Sequence, residues 1–259
     1  MTAPDIFDRK LYAARRLKSA RERGESFLTQ QAGEALSERL AGLNRNFRRG
    51  LDLGSRMESF ALVSPAAGTW IRTAASPNSK TVDVIADEEA LPFAAESFDL
   101  VVSVLILHAV NDLPGTLVQI RRALAPGGLF LAALFGGSTL TELRRAFAAG
   151  ESEVSGGVSP RVSPFADVRD AGALLQRAGF AGPVADVERL PVRYGSFDRL
   201  VGDLRALGET NVLKQRRKTF LSRGVLAASL AHYAADDGDA DGKLRATFDI
   251  LYLTGQSPG

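Results

Sequence analysis

The chain contains no cysteine. Disulfides, thiolate zinc sites and cysteine nucleophiles are therefore excluded. No apolar run approaches the ~20 residues needed to cross a bilayer. Residues 1–23 are rich in Arg and Lys but lack the apolar stretch of a secretory signal. Asp5, Asp8 and Glu22 interrupt those cations, whereas transit peptides are poor in acids. The expectation is a cytoplasmic protein: the bacterial cytosol, or the mitochondrial matrix if the chain is eukaryotic. A strong charge of one sign is also missing, since 32 Lys and Arg against 30 Asp and Glu leave +2. Nucleic acid would call for a clustered basic face and is not indicated. No internal repeat or low-complexity tract occurs, and no G-x-G-x-x-G follows the first strand pattern, which argues against a nicotinamide or flavin enzyme.

What is present is an alternation of helical and strand-like segments in a 259-residue chain that is 45% hydrophobic. That pattern predicts an α/β fold with a mainly parallel sheet covered on both faces. Phe27 to Leu43 places Leu28, Ala32, Ala35, Leu36 and Leu40 on one helical stripe. Leu51-Asp52-Leu53-Gly54 reads as a buried strand ending in a turn residue, Gly68 to Ala75 as a second strand and Val82 to Ala86 as a third. Phe98 to Leu107 is nearly all apolar and predicts a central strand. A helix follows, with Leu113, Leu117, Ile120 and Leu124 on one face, until Pro126-Gly127-Gly128 turns the chain into the apolar run Leu129 to Phe135. Ala166 to Ala178 is amphipathic, with Val168, Leu174 and Leu175 as core candidates and Gly179 as the residue that ends it. Val184 to Tyr194 and Ala246 to Thr254 read as two further strands, the last alternating as an antiparallel member near an edge. Between them lies a helical insertion, Phe197 to Ala235. The domain expectation is an N-terminal helical arm over 1–24 and one domain over 25–259, with a cap inserted at about 196–238.

In an open α/β sheet the ligand sits beyond the carboxyl ends of the strands, where strand order reverses. Three strand ends carry suggestive residues: Asp52 before Gly54, Asp87 followed by Glu88, and His108 after the long central strand. Each also has a purely structural alternative. Asp52 could cap a turn or pair with Arg48 or Arg49, Asp87 could be a helix N-cap, and His108 a packed, hydrogen-bonded histidine. Leu91-Pro92-Phe93 alone reads as packing.

In order, Leu51 to Gly54, Ala86-Asp87-Glu88-Glu89-Ala90-Leu91-Pro92-Phe93, Ser97-Phe98-Asp99-Leu100-Val101-Val102-Ser103 and Leu107-His108-Ala109-Val110-Asn111-Asp112-Leu113-Pro114 resemble the core of class I methyltransferases that use S-adenosylmethionine (SAM). The Leu-Pro-Phe and Phe-Asp-Leu-Val pair is similar to the branch that includes the biotin-pathway acyl-carrier-protein methyltransferase. Ile6 to Arg9, Phe135 to Arg144, Ser159 to Phe165, Arg177 to Phe180 and Asp203 to Asn211 are similar to the methyltransferase-like assembly factors of respiratory complex I. The resemblance covers nearly the whole chain. It implies a Rossmann-like, seven-stranded, mostly parallel sheet with an N-terminal helical segment and a helical cap. It also implies SAM as cofactor, with Asp52 and Gly54 against its methionine part, Asp87 on the adenine amino group and the Glu88 backbone beside the ring. His108 would face the sulfonium or the acceptor and is the candidate general base. Phe135 to Arg144 and Asp203 to Asn211 would form the acceptor side.

The sequence departs from that family in two places. The loop Asp-x-Gly-x-Gly-x-Gly reads Asp52-Leu53-Gly54-Ser55-Arg56-Met57-Glu58 here, so Arg56 and Glu58 replace two glycines. Glycines there permit positive φ and close backbone approach to the ligand. The second strand, Trp70 to Ser76, also lacks the acid that holds the ribose hydroxyls. Losing that bond alone weakens SAM by roughly tenfold to a hundredfold, so the expectation is weak or lost SAM binding. Three functions stay open: a methyltransferase with a rebuilt cofactor site, a non-catalytic assembly protein holding a protein partner such as a respiratory-complex subunit, and a hydroxylase of an arginine on such a subunit. No resident metal is expected; an iron site would have to join His108 to His232, which sit in distant segments.

Overall fold

The computed structural model describes residues 5–22, 26–55, 60, 67–76 and 82–259. Its centre is a seven-stranded sheet in the order β3-β2-β1-β4-β5-β7-β6. The strands are β1 (Phe47–Asp52), β2 (Ala67–Ala74), β3 (Val84–Ile85), β4 (Phe98–Val104), β5 (Leu124–Phe135), β6 (Ala181–Tyr194) and β7 (Leu244–Gln256). The first five pair in parallel, and β7 runs antiparallel to both β5 and β6. Strand order reverses between β1 and β4, which puts a ligand crevice at their carboxyl ends.

The sheet is covered on both faces. Leu100, Val102 and Val104 of β4 and Leu129, Leu131 and Ala133 of β5 share one cluster with Leu28, Ala32, Leu36 and Leu40 of α2 (Phe27–Ala41). On the other face, Val101, Phe130, Ala132 and Leu134 meet Leu117 and Ile120 of α3 (Leu113–Ala123), and Ala171 and Leu175 of α5 (Val168–Arg177). α2 starts where Ser26 accepts from the Leu28 N–H, and α5 where Asp167 accepts from the Arg169 N–H. Gly179, at φ +86°, ends α5 as expected.

The central strand is shorter than its apolar run. β4 stops at Val104 because Leu105 is left-handed, at φ +50°. A bulky residue in that region costs roughly 1–2 kcal/mol, and here Leu105 is fully buried and gives its N–H to Ala133 O at 2.8 Å. The remainder, Leu107–Ala109, is a 3₁₀ turn. β5 begins earlier than its apolar run, at Leu124, and its register against β4 shifts between Phe98 and Leu100, where left-handed Gly127 absorbs the irregularity. Both faces of β7 are buried, with Phe248, Ile250 and Tyr252 on one side and Leu251 and Leu253 on the other. It lies one strand in from the edge.

Four more helices frame the site: α1 (Arg9–Glu22), α4 (Thr141–Ser155), α6 (Phe197–Leu207) and α7 (Arg223–Asp237). α4 and α7 pack so closely that a Cβ at Gly150 would lie 2.4 Å from the Ser229 backbone. Among the described residues, no helix is long and apolar enough to cross a membrane.

Candidate functional site

The cofactor-side crevice begins at the end of β1. Asp52 is buried, at 2% exposure, and Gly54 turns the chain with φ +75°. A Cβ at Gly54 would come within 2.7 Å of Ile106 Cγ1, so this glycine is required by close packing as well as by its backbone angle. Asp52 does not pair with Arg48 or Arg49. Those two residues donate their backbone N–H groups to Asp99; Arg72 is raised above its ordinary pKa chiefly by its hydrogen bonds to Asp83, with a smaller contribution from the Asp52 charge. Arg56 and Glu58, the two glycine replacements, lie outside the described residues.

Asp87 opens a tight turn rather than a helix. Its carbonyl accepts from the Ala90 N–H at 3.0 Å, and its Oδ1 from the Glu89 N–H at 3.0 Å. The N-cap alternative is thereby corrected: Pro92 follows too soon for a helix to start. Asp87 and Glu88 both face an arginine of the same chain. Arg9, the first residue of α1, bonds Asp87 Oδ1 at 2.9 Å and the Glu88 carboxylate, and gives Nη1–H to Ala109 O at 3.0 Å. Glu89 lies 3.6 Å from Arg9 Nε and accepts the Asn111 and Asp112 N–H groups through its other oxygen. Burial would push the Asp87 carboxyl up, but the Glu89 N–H and the Arg9 guanidinium hold it below the usual range. Burial likewise opposes the Arg9 charge, and the Glu88 and Asp87 carboxylates raise its pKa nonetheless.

Two turns further along α1, Arg16 Nη2 donates to Gly54 O at 3.0 Å. The space bounded by Tyr12, Arg16, Ala74, Ser76 and Glu88 holds about 10 Å³, room for a single water. Of the strand-end acids expected to meet an adenosyl group, Asp87 and Glu88 are therefore in place and paired with α1.

The acceptor side is built differently. His108 sits on the 3₁₀ turn with its ring 4.8 Å from Phe135 and 5.6 Å from Phe165. Its Nδ1 accepts the Phe135 N–H at 3.5 Å, and its Nε2 lies 3.1 Å from Glu209 Oε2. With Nδ1 accepting, the ring proton sits on Nε2, which faces the Glu209 carboxylate but makes no hydrogen bond among the described residues. Tyr12 donates its hydroxyl to the other Glu209 oxygen at 2.7 Å. Glu209 then faces a cavity of about 140 Å³ walled by Phe135, Phe165, Phe248, Arg161 and Asn211, room for roughly ten waters. Leu140, which also lines it, is left-handed at φ +55° and enters α4 under strain.

The cavity wall is pinned from behind. Glu151 of α4 is completely buried and accepts the Ser159 N–H at 2.6 Å, the Ser159 hydroxyl and the Arg161 guanidinium. Burial would push the Glu151 carboxyl up, and these donors pull it below its ordinary value. Asn211 ties the opposite rim by donating to Pro160 O at 2.8 Å.

Asp87, Glu88 and His108 thus gather around the carboxyl ends of β3 and β4, with Asp52 and Gly54 beside them at β1. Sequence reasoning gave no role to Arg9, Tyr12, Glu151 or Glu209. Arg9 and Glu209 do fall inside the Ile6–Arg9 and Asp203–Asn211 segments singled out there. His232 pairs on the surface with Glu153 at 2.9 Å.

Comparison with known proteins places this geometry. The profile of a methyltransferase domain matches residues 58–132. The human mitochondrial arginine-hydroxylase NDUFAF5 is 38% identical over 265 residues, covering 97% of this chain and 76% of that protein. The malonyl-[acyl-carrier protein] O-methyltransferase of Halorhodospira halophila is 35% identical over 240 residues, covering 87% of this chain and 79% of its own. Among solved structures, the N-methyltransferase NodS of Bradyrhizobium japonicum, in complex with S-adenosyl-L-homocysteine, superposes with a TM-score of 0.52 at 13% identity. That match covers 96% of this chain and 99% of NodS, and at such identity it shows the fold.

Proposed function

Because the chain belongs to the methyltransferase-like family that contains these arginine hydroxylases and malonyl-acyl-carrier-protein methyltransferases, we propose that it acts on an arginine side chain of a protein partner. The observation that carries this reading is the Glu209 carboxylate, fixed by Tyr12 and His108 and presented to an aromatic-walled cavity. A guanidinium is planar and permanently charged, carries five donors, and stacks on aromatic faces. Glu209 accepts the Tyr12 hydroxyl and lies 3.1 Å from His108 Nε2, which fixes a negative charge at the cavity wall. Phe135 and Phe165 line the same cavity and offer aromatic surface to such a group.

A malonyl acceptor would bring its own carboxylate toward Glu209, which is repulsive. Among the described residues, Arg161 is the one cation lining the cavity, and its charge is already met by Glu151. The arginine reading is therefore preferred to the malonyl one, and the hydroxylase relatives also span more of this chain.

In this reading His108 is a positioning residue. Its Nδ1 is occupied by the Phe135 N–H and its Nε2 stands 3.1 Å from Glu209, so it sets the surroundings of the carboxylate rather than taking a substrate proton directly. S-adenosylmethionine is the cofactor that the fold suggests, and its affinity here is low because Arg9 and Arg16 hold the groups it would need. The partner we envisage is a respiratory-complex subunit, met in the bacterial cytosol or the mitochondrial matrix.

The test is mass spectrometry of a candidate arginine-bearing partner recovered from cells with and without this protein. A gain of one oxygen on arginine supports the hydroxylase class. A gain of one methyl on arginine keeps the arginine assignment and transfers the activity to the methyltransferase class. Modification of another residue type overturns the reading.

A further inference from the structure

Beyond Asn211 the chain leaves the cavity rim and runs through Lys214-Gln215-Arg216-Arg217-Lys218-Thr219-Phe220-Leu221-Ser222-Arg223, five cations with no acid among them. Lys214 pairs with Asp5, and Arg216 lies 3.4 Å from Asp8. Arg217 bonds Thr219 Oγ1, while Arg217, Lys218 and Arg223 make no ion pair among the described residues. Phe220 is fully exposed, at 101%. Its neighbour Leu221 packs on the same cluster as Phe135 and Phe165, which anchors this loop beside the cavity. Arg15 of α1 extends the face: burial and the nearby Arg216 charge both hold its pKa down, and its Nη1 donates to Asn211 O at 2.5 Å.

The charges around the cavity therefore alternate, with one carboxylate inside and a row of cations outside. We propose that this loop docks an acidic segment of the protein substrate, so that the target arginine is flanked by Asp or Glu and an apolar side chain rests on Phe220. The inference rests on the arginine reading of the cavity and adds the sequence context of the target. Charge complementarity of this kind sets partner choice and encounter rate. A membrane surface is the weaker match, because interfacial segments bury a whole apolar face and this loop exposes one large apolar side chain. A bilayer also offers nothing to the Glu209 carboxylate.

The experiment is fluorescence anisotropy on the full chain with labelled peptides of equal length. Three carry a central arginine with Glu-rich, Ser-rich or Lys-rich flanks, and a fourth has Glu-rich flanks with citrulline at the centre. The expected order is Glu, then Ser, then Lys, with the Glu-flanked peptide roughly tenfold tighter than the Ser-flanked one at low salt, and the gap closing as salt rises. Arg217→Glu/Lys218→Glu should erase that gap while leaving the Ser-flanked affinity unchanged, and Phe220→Ser should weaken the Glu-flanked peptide several-fold. Equal affinity for Glu and Ser flanks, with citrulline still discriminated, overturns the docking inference and leaves the arginine reading standing. Equal affinity for arginine and citrulline between Glu flanks, lost in Arg217→Glu/Lys218→Glu, supports the acidic docking surface and overturns the arginine reading. Tight binding to phosphatidylglycerol vesicles that is lost in the same variant, with no preference for Glu-flanked peptide, assigns the loop to membranes and overturns the proposal.

Discussion

The two ends of the strand-end crevice are built to opposite specifications. At the β1–β3 end the polar groups expected to meet a nucleoside are bonded by α1, and the gap between helix and sheet holds about 10 Å³. At the β4–β5 end an equally well-bonded carboxylate, Glu209, faces about 140 Å³ of cavity. The same helix serves both: Arg9 and Arg16 close one side, while Tyr12 between them steadies the acid on the other. Among the described residues, one end of the crevice is bonded to α1 and the other opens on a cavity.

That contrast breaks first at the acceptor wall. Glu151→Ala leaves the Arg161 guanidinium without its carboxylate and should cost about 3–5 kcal/mol, measured by urea unfolding. A loss under 1 kcal/mol would mean that the wall is not held by this pair. Next is the clasp on the other side. Arg9→Met removes the cation from Glu88, whose side chain is 3% exposed. It should cost about 3 kcal/mol, because a buried charge is left without its partner. The same variant should bind SAM about tenfold more tightly than the wild type by calorimetry; unchanged affinity would show that the clasp is not what closes the crevice.

Smaller effects sharpen the comparison. Asp87 and Glu151 have folded pKa values below their ordinary ones. Their contribution to stability is complete above the ordinary carboxylate range and is lost as pH falls through the lower folded values. Stability measured from pH 6 to pH 3 should therefore fall steeply below about pH 4. Arg9→Met should flatten the Asp87 part of that fall and leave the Glu151 part; an acid limb identical to the wild type would refute the linkage. Smallest is His108→Gln, which removes the imidazole that stands 3.1 Å from Glu209. It should weaken an arginyl peptide roughly fivefold, about 1 kcal/mol, the scale of an indirect effect on Glu209, with a melting temperature close to that of the wild type. A large loss of stability with unchanged affinity would make His108 a core residue and nothing more.

The parts that were legible in the sequence are those governed by local rules. Apolar runs marked the strands, Gly179 marked the end of α5, and the acids at Asp52 and Asp87 fell at strand ends because turn residues follow them. Leu105 hid the end of β4: no local signal marks a leucine at φ +50°, a conformation imposed by its contact with Ala133 across the sheet. The clasp was hidden by distance, since Arg9 and Asp87 are 78 residues apart and Tyr12 and Glu209 are 197 apart. Periodicity carries no information about such pairings. His108 was singled out for its chemistry, yet the acid it faces is the residue that lines the cavity.

The most direct measurement is calorimetric titration of an arginine peptide against its citrulline twin, which keeps the shape and removes the charge. Wild type should prefer arginine by at least tenfold, the order expected of a charge-assisted bond to Glu209, and Glu209→Gln should abolish that preference. Equal binding of the two peptides by the wild type, or a preference that survives in Glu209→Gln, would contradict the assignment of this cavity to a guanidinium.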